Sequence, residues 1–550
     1  MTFSVADFKY KKLINYVDWK LLLFLLLFLN VKLEVKIAAI IISYLLQFNF
    51  KFKFGFKNSR LPLFYLAVIT IAFIDLVITG SYTKPDYLLA FFIGIGFWVL
   101  CILAIHQIKL FVENNDGETI HHTILVFFVI NIILSFYTLG HIIWSTGAIN
   151  PYGYRGQYEK YFMGTGDYIK GITFDSSTTN AIVNAFGVIY FLTRKNYLMV
   201  LLCMVVLLLT ASNFTNLALI SILALLFVFK STRDQKSMIV ICLAFMVIFM
   251  IKISPQNDQY TFETIKNTFH KKPPSFLNTL VIDKKSDDRS APDYAKRKFV
   301  QHYIDSLAAV ELRNKPRKAI AREIWVLPKT DEGRIFIEKP KTSLPFYQAS
   351  KIPTSEQTRL LSFIDEHKSG LPISGQADFD AHEPGKVLAF SQSLRFLEAN
   401  PDKILTGDGI GKFSSKLAFR ATGLGFSGSY PASHTYISDE FILNHLDVYL
   451  NFFSKKAELQ SLTNSPNSVY DQLLVEYGLL GLLAFAIYYL WFFMKHYKIL
   501  TYGIPLLLLL MGVFFIDYWF EQLSIVVFFE LMLFLDIKQN TNKAPVNYGY

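Results

Sequence analysis

The stretch Asn467-Ser-Val-Tyr-Asp-Gln-Leu-Leu-Val-Glu-Tyr-Gly-Leu-Leu-Gly481 carries the chain out of a long polar segment and straight into an apolar run. It sets a large hydrophilic region, residues 254–467, against the mouth of a helical bundle. Upstream, apolar runs occupy 61–79, 87–108, 123–144, 180–193, 197–211, 214–229 and 238–253; downstream they occupy 470–494, 504–518 and 523–535. A helix needs about 20 residues to cross the hydrocarbon core, so the shorter runs must extend into their polar flanks. Residues 21–48 are interrupted by Lys32, Glu34 and Lys36. Charge at the bilayer centre is costly, so this region reads as two short spans with a tight turn at those residues. The total comes to about twelve helices.

The 550 residues are 53% hydrophobic and 18% charged, a composition suited to a chain solvated mostly by lipid. The net charge of +11 is a topology signal. With the N-terminus inside, the cytoplasmic loops hold Lys9, Lys11 and Lys12; Lys51, Lys53, Lys57 and Arg60; Arg194 and Lys195; Lys230, Arg233 and Lys236; and Lys495 and Lys498. The short loops on the opposite side are poorer in cations, as the positive-inside rule requires. Scattered in this way, the cations argue against a nucleic-acid surface. The basic N-terminus is followed by no small-residue cleavage site, so no cleavable signal peptide is expected. Cys101, Cys203 and Cys242 all lie in apolar runs, which leaves residues 254–467 to fold without disulfides or a Cys-based metal site.

The expected architecture is an all-α polytopic membrane protein in three parts. Residues 1–253 form an N-terminal transmembrane block with a short periplasmic loop at 145–179. Residues 254–467 form a large, mostly α periplasmic domain, and 468–550 a C-terminal transmembrane block. No internal repeat of 20–50 residues is apparent, which argues against a duplicated-repeat transporter.

Within the large loop, residues 295–311 read as an amphipathic helix, with Phe299, Tyr303 and Leu307 recurring every fourth position. A second helix, 385–398, stops at Asn400-Pro401. Gly407-Asp-Gly-Ile-Gly411 lacks the strand–turn–helix setting of a nucleotide fingerprint and reads as a turn. Ser468-Val-Tyr-Asp471 has the form of a capping box, and Gly478 and Gly481 allow close helix packing. Glu476, Asp75 and Glu530 are ionisable groups inside apolar runs, and each is a functional candidate or the partner of a buried cation. Asp378-Phe-Asp380, with His382 and Glu383 behind it, is the one foothold for a hard divalent cation.

From Arg395 onward the chain resembles the O-antigen ligase and polymerase family of bacterial envelope glycosyltransferases. The resemblance rests on Arg395-Phe-Leu-Glu-Ala-Asn-Pro401, on Leu405-Thr-Gly-Asp-Gly-Ile-Gly-Lys-Phe413, and on residues 467–481 leading into a span. It implies a GT-C-like bundle in the bacterial inner membrane, with both termini cytoplasmic. The implied reaction is transfer of a glycan from an undecaprenyl-pyrophosphate-type donor to a hydroxyl of the lipid A core or of a growing glycan. It would run at the periplasmic face, without cofactor or bound metal. Protein O-glycosylation is a variant of the same reading, and a transporter or flippase of lipid-linked glycans is the alternative from another class.

Charge building on the departing pyrophosphate calls for guanidinium groups, whose planar donors bind phosphate oxygens in pairs. Arg395 and Arg155 are the first choices and Arg420 the third. The family pattern has His-Asn where this chain has Asn467-Ser468, so its general base has either moved to His434, in Pro431-Ala-Ser-His-Thr-Tyr436, or been replaced. The resemblance thus gives His434, Arg395 and Glu476 as catalytic candidates. Arg155, Arg395, Arg420, Tyr436, Asn467 and Tyr470 are the substrate-binding ones.

Overall fold

The computed structural model describes residues 16–56, 58–153, 165–254, 385–421, 436, 438–452 and 465–541. Arg155, His434, the 295–311 helix and the Asp378–Glu383 cluster lie outside the described residues. Among those described, all regular structure is helical. The N-terminal part holds α1 (Trp19–Phe28), α2 (Leu33–Leu46), α3 (Phe64–Ile78), α4 (Pro85–Asn114), α5 (Gly117–Thr146), α6 (Ser177–Thr193), α7 (Tyr197–Leu209), α8 (Asn213–Phe229) and α9 (Arg233–Ile248), which runs on through a π turn to Ile253. The large loop contributes α10 (Gly385–Ala399), α11 (Lys403–Thr406), α12 (Lys416–Ala421) and α13 (Asp439–Phe452). The C-terminal part holds α14 (Val469–Glu476), α15 (Gly478–Met494), α16 (Gly503–Val513), α17 (Trp519–Gln522) and α18 (Ser524–Thr541).

Among the described residues, three helices are long and apolar enough to cross a membrane: α4, α5, and α9 with its π extension. Six others, α1, α3, α7, α8, α15 and α16, are apolar but shorter. Large apolar side chains stand exposed on the outer faces, among them Ile41 and Leu45 on α2, Phe92 on α4 and Ile133 and Tyr137 on α5. A water-soluble fold would bury such stripes, whereas lipid solvates them.

The helix ends follow from local chemistry. Asp18 caps α1 by accepting from the Lys20 and Leu21 amides at 2.9 and 3.2 Å. Asp116 caps α5 through the Thr119 amide, and Gly147 ends that helix in the left-handed region. The turn expected near Lys32, Glu34 and Lys36 is present between α1 and α2. Lys36 explains its shape. Its buried ammonium donates to the Phe28 carbonyl at 3.0 Å, one of the last of α1, and to the Ser524 hydroxyl.

Hydrogen bonds between distant segments sort the bundle into two ends. At one end Val31 N–H meets Thr173 O, Asn150 meets Ile253 O, Lys412 meets Ser81, and Val469 N–H meets Phe514 O. At the other, Lys538 donates to Val112 O, Lys230 to Leu500 O, Asn115 to Asp18, and Arg60 pairs with Glu113. The described part of the large loop sits on the first end, called here the outer end.

Two readings of the 467–481 stretch need correction. The capping box does not form: Ser468 makes no side-chain cap, and the first helical amide, Val469 N–H, is bonded to Phe514 O at 2.9 Å. The apolar run 470–494 is also not one helix. It breaks at Tyr477, and Gly478 resumes with φ +64. The break is tertiary in origin. A Cβ at Gly478 would overlap the Leu405 carbonyl, and one at Gly407 would overlap the backbone of Glu476, so two main chains touch with no side chain between them. Gly478→Ala should therefore lower stability by on the order of 2 kcal/mol, combining left-handed strain with the backbone clash. The readout is the thermal midpoint of the detergent-solubilised chain, and an unchanged midpoint would show the contact to be loose.

Candidate functional site

The outer end is organised around Glu476, which is fully buried at the C-terminus of α14. Its Oε2 accepts from the Gly411 amide at 2.8 Å, and its Oε1 from those of Phe413, Ser414 and Ser415 at 3.1, 3.0 and 2.9 Å. Convergent amides of this kind form an anion-binding concavity, filled here by the protein's own carboxylate. The break after Glu476 completes the joint, since the freed Val475 and Glu476 carbonyls accept from the Asp408 and Gly409 amides at 2.8 and 3.2 Å. Gly407, Gly409 and Gly411 all have positive φ, which lets so short a loop aim its amides inward. The expected turn is present, and its purpose is to grip Glu476. With its lone pairs so occupied by amides, Glu476 is a positioning group, and no buried cation is bonded to it among the described residues.

The grip delivers α12 to the rim. Lys416 and Arg420, both half-buried, lie on this helix. Burial, then the neighbouring Arg420 guanidinium, hold the Lys416 ammonium below its usual range, while the Asp517, Asp175 and Glu521 carboxylates pull the other way. Burial and the Glu476 carboxylate push Glu521 up to about 8, against the pull of Lys416 and Arg420. Lys386 on α10 completes the cationic set. It donates to Asn467 O at 2.5 Å and Ile516 O at 3.1 Å, and burial lowers its pKa to about 7 against the pull of Asp517 and Asp471. Lysines, an arginine and carboxylates from five separate segments thus share one half-open rim.

The residues singled out from sequence fall into three groups. Arg420 is in the rim. Asn467 joins it through its carbonyl and through an amide contact of 3.4 Å to Asp517. Tyr470 donates to Met511 O at 2.7 Å, which fixes α14 to α16. Arg395 is exposed on α10, whose buried face carries Lys386, Gln392 and Phe396. Tyr436 packs tilted against Tyr87, ring centroids 5.2 Å apart. Sequence reasoning passed over Lys386 and Lys416. Lys386 had a legible signal, because the 3.6-residue period puts it on the same stripe as Ala389, Ser393 and Phe396. His445, also passed over, is an unsuitable base: it is fully buried, bonded to Gln392 at 2.9 Å, and pushed by burial down to about 3.

A second polar cluster lies beside α3 and α4. Lys412 donates to Ser81 at 2.8 Å and stands 4.5 Å from the Tyr87 ring centroid. Asp408 pairs with Lys403 at 3.3 Å, and burial, helped by Glu440, raises it to about 7 against the pull of Lys412 and Lys403. Asp75, which had no partner identifiable from sequence, faces this cluster. Among the described residues no group of three or more His, Cys, Asp or Glu is arranged to hold a metal ion.

Compared with family models, curated proteins and solved structures, the chain matches none.

Removing the Glu476 carboxylate would leave four buried amides without an acceptor, at about 1–3 kcal/mol each before relaxation. Glu476→Ala should therefore release residues 407–421 from the bundle. Glu476→Gln, which keeps one oxygen, should do so less. Limited proteolysis within 403–421 measures this, and equal protection in wild type and Glu476→Ala would refute the grip.

Proposed function

We propose that this chain is a polytopic inner-membrane glycosyltransferase that moves a glycan from a polyprenyl-pyrophosphate donor to a hydroxyl acceptor at the periplasmic face. In this reading α1 to α9, α14 with α15, α16 and α18 make twelve crossings of a GT-C-like bundle, with the outer end periplasmic. The supporting pattern is the one sorted by hydrogen bonds above. Arg60, Arg194, Lys230 and Lys538 gather at the end opposite the large loop, as expected for a cytoplasmic face.

The observation that carries the proposal is the placement of Lys416 and Arg420 on one short helix at the outer end, half-buried and held there by the Glu476 grip. Glycan transfer breaks the bond between the sugar's anomeric carbon and the pyrophosphate oxygen, and the electron pair leaves with the phosphate. Fixed cations aimed at that oxygen lower the barrier without reorganising. The guanidinium of Arg420 suits paired phosphate oxygens, and Lys416 adds a point charge. The polyprenyl tail would remain in lipid while the pyrophosphate meets the rim. The lipid A core and the end of a growing glycan both present the hydroxyl this chemistry needs.

The reading is tested with the full-length chain in nanodiscs, undecaprenyl-pyrophosphate-linked glycan as donor, and either lipid A core or the donor itself as acceptor. Product formed without an ion gradient separates transfer from transport, and absence of product in both formats refutes the proposal. Arg420→Ala should slow transfer by roughly 100-fold or more with insertion unchanged. An equal loss in Arg395→Ala would place the exposed face of α10 in the site, and wild-type transfer by that variant would remove Arg395 from it. EDTA should leave the rate unaltered, whereas a loss reversed by Mg²⁺ would point to the carboxylates near Asp378.

A further inference from the structure

Between α2 and α3 the chain runs Phe48-Asn-Phe-Lys-Phe-Lys-Phe-Gly-Phe56, a phenylalanine at every second position with Asn49, Lys51 and Lys53 between them. That is the two-residue period of a strand with one apolar and one polar face. Residues 48–55 nevertheless form neither helix nor paired strand. They lie at the end opposite the large loop, the inner end, where Arg60 pairs with Glu113.

The segment is fastened to the bundle through its backbone. Arg60 donates from Nη1 to Lys51 O at 2.8 Å and from its amide to Lys53 O at 3.2 Å, while its guanidinium holds Glu113 of α4. The Phe52 amide donates to Phe50 O at 3.1 Å. Phe52 packs on His106 with ring centroids 4.2 Å apart, and Phe50 stacks on Tyr44 at 4.9 Å. Lys53 is held at φ +52, in the left-handed region that lysine rarely adopts. With these carbonyls engaged and Lys53 bent out of extended geometry, a strand from another chain finds no ladder to join.

What remains outside is apolar and cationic. Phe48 is 81% exposed and Phe56 91%, and Phe48 continues the exposed stripe of Ile41 and Leu45 on α2. Lys51 and Lys53 are exposed, with no carboxylate at ion-pair distance among the described residues. Glu113, near enough for the Lys53 charge to act on it, is already taken by Arg60. Trp19 stands exposed at the start of α1, and Lys20 beside it donates to Leu46 O at 3.4 Å. Aromatic rings next to ammonium groups, at the end of a lipid-facing stripe, match a membrane–water boundary. The rings settle at the acyl edge and the ammoniums reach the phosphates.

We propose that residues 48–56, with Lys20, bind an anionic phospholipid of the leaflet at the inner end. Its phosphate meets Lys51 and Lys53, and its acyl chains run along Leu45 and Phe48. Arg60 is committed to Glu113 and to the backbone, so the two lysines carry the recognition. A choline lipid would bring its own cation to them, whereas phosphatidylglycerol brings a net negative charge. Such a site is independent of any transferase activity and requires only that the bundle sit in a bilayer.

The full-length chain is reconstituted with equal amounts of phosphatidylglycerol and phosphatidylcholine of the same acyl chains. It is then released into mild detergent and weighed with its retained lipids by native mass spectrometry. Wild type should retain phosphatidylglycerol in preference, and less so as salt rises. Lys51→Gln combined with Lys53→Asn should cut that preference by about 25-fold, about 5-fold for each cation. Asparagine is used at position 53 because it tolerates the left-handed region. The thermal midpoint of this variant in phosphatidylcholine alone should match wild type, and Lys51→Arg should keep the preference. Lys195→Gln with Arg233→Gln, which removes two exposed cations elsewhere at the inner end, should leave it largely intact. Equal retention of both lipids by wild type overturns the site, and an equal loss in that control gives the preference to the diffuse charge of the whole face. A midpoint in phosphatidylcholine that falls along with the preference assigns the lysines a structural role and overturns it too. A dimer mass in wild type that vanishes in the lysine variant would give the surface to a second copy instead.

Discussion

A single carboxylate bound by four backbone amides sets the geometry of the outer end. Glu476 gathers the amides of Gly411, Phe413, Ser414 and Ser415 at 2.8–3.1 Å in a buried site, where each such bond is stronger than it would be in solution. The break after Glu476 frees two helix carbonyls for the same loop, and paired glycines let the two backbones touch. The described part of the large loop is thus attached to the C-terminal helices largely through its own backbone amides, held by the Glu476 carboxylate and by two helix carbonyls. Side-chain packing has a supporting role there, as where Ile410 seats over Gly94 of α4. Main-chain attachment fixes direction as well as position, and α12 follows from it.

The electrostatic character of the rim depends on that direction. Cations and carboxylates interleave, so the rim has little net field of its own, and its groups are poised by burial as much as by pairing. Lys386 and Glu521 both sit near neutrality in their titration, at about 7 and about 8. A dianion placed there would favour the charged form of the lysines and discourage ionisation of the acid. The Asp75 cluster lies on the other side of the same loop, where Lys412 and Asp408 leave the turn only a few residues before α12.

Much of this could be read from residues, and the remainder for a physical reason could not. Hydrophobic runs gave the helices, and Lys32, Glu34 and Lys36 gave the turn between α1 and α2, because the desolvation cost of charge is a local property. The break at Tyr477 was hidden because the apolar pattern continues through it, and only the approach of Leu405 and Gly407 makes it necessary. Ser468 and Asp471 have the spacing of a capping box, yet the helix starts without a side-chain cap, its first amide held by Phe514, some 45 residues on in the chain. The rim was legible only in part. Arg420 was the third choice among the arginines, whereas Lys416 was passed over. Asp75 announced itself as an expensive residue, but its neighbours come from a loop more than 300 positions away.

The brevity of α2 has its own consequence. Its 14 residues rise about 21 Å, against a hydrocarbon thickness of about 30 Å, and its outward face of Ile37, Ile41 and Leu45 is apolar. A bilayer meeting such a short wall thins beside it, drawing head groups of the outer leaflet toward the midplane. Lys36 roots the top of that wall beside Ser524, next to the rim. Under the proposed reading, a polyprenyl-pyrophosphate donor drifting along this flank would find its phosphates already lowered to the level of the cations, with less membrane to climb out of.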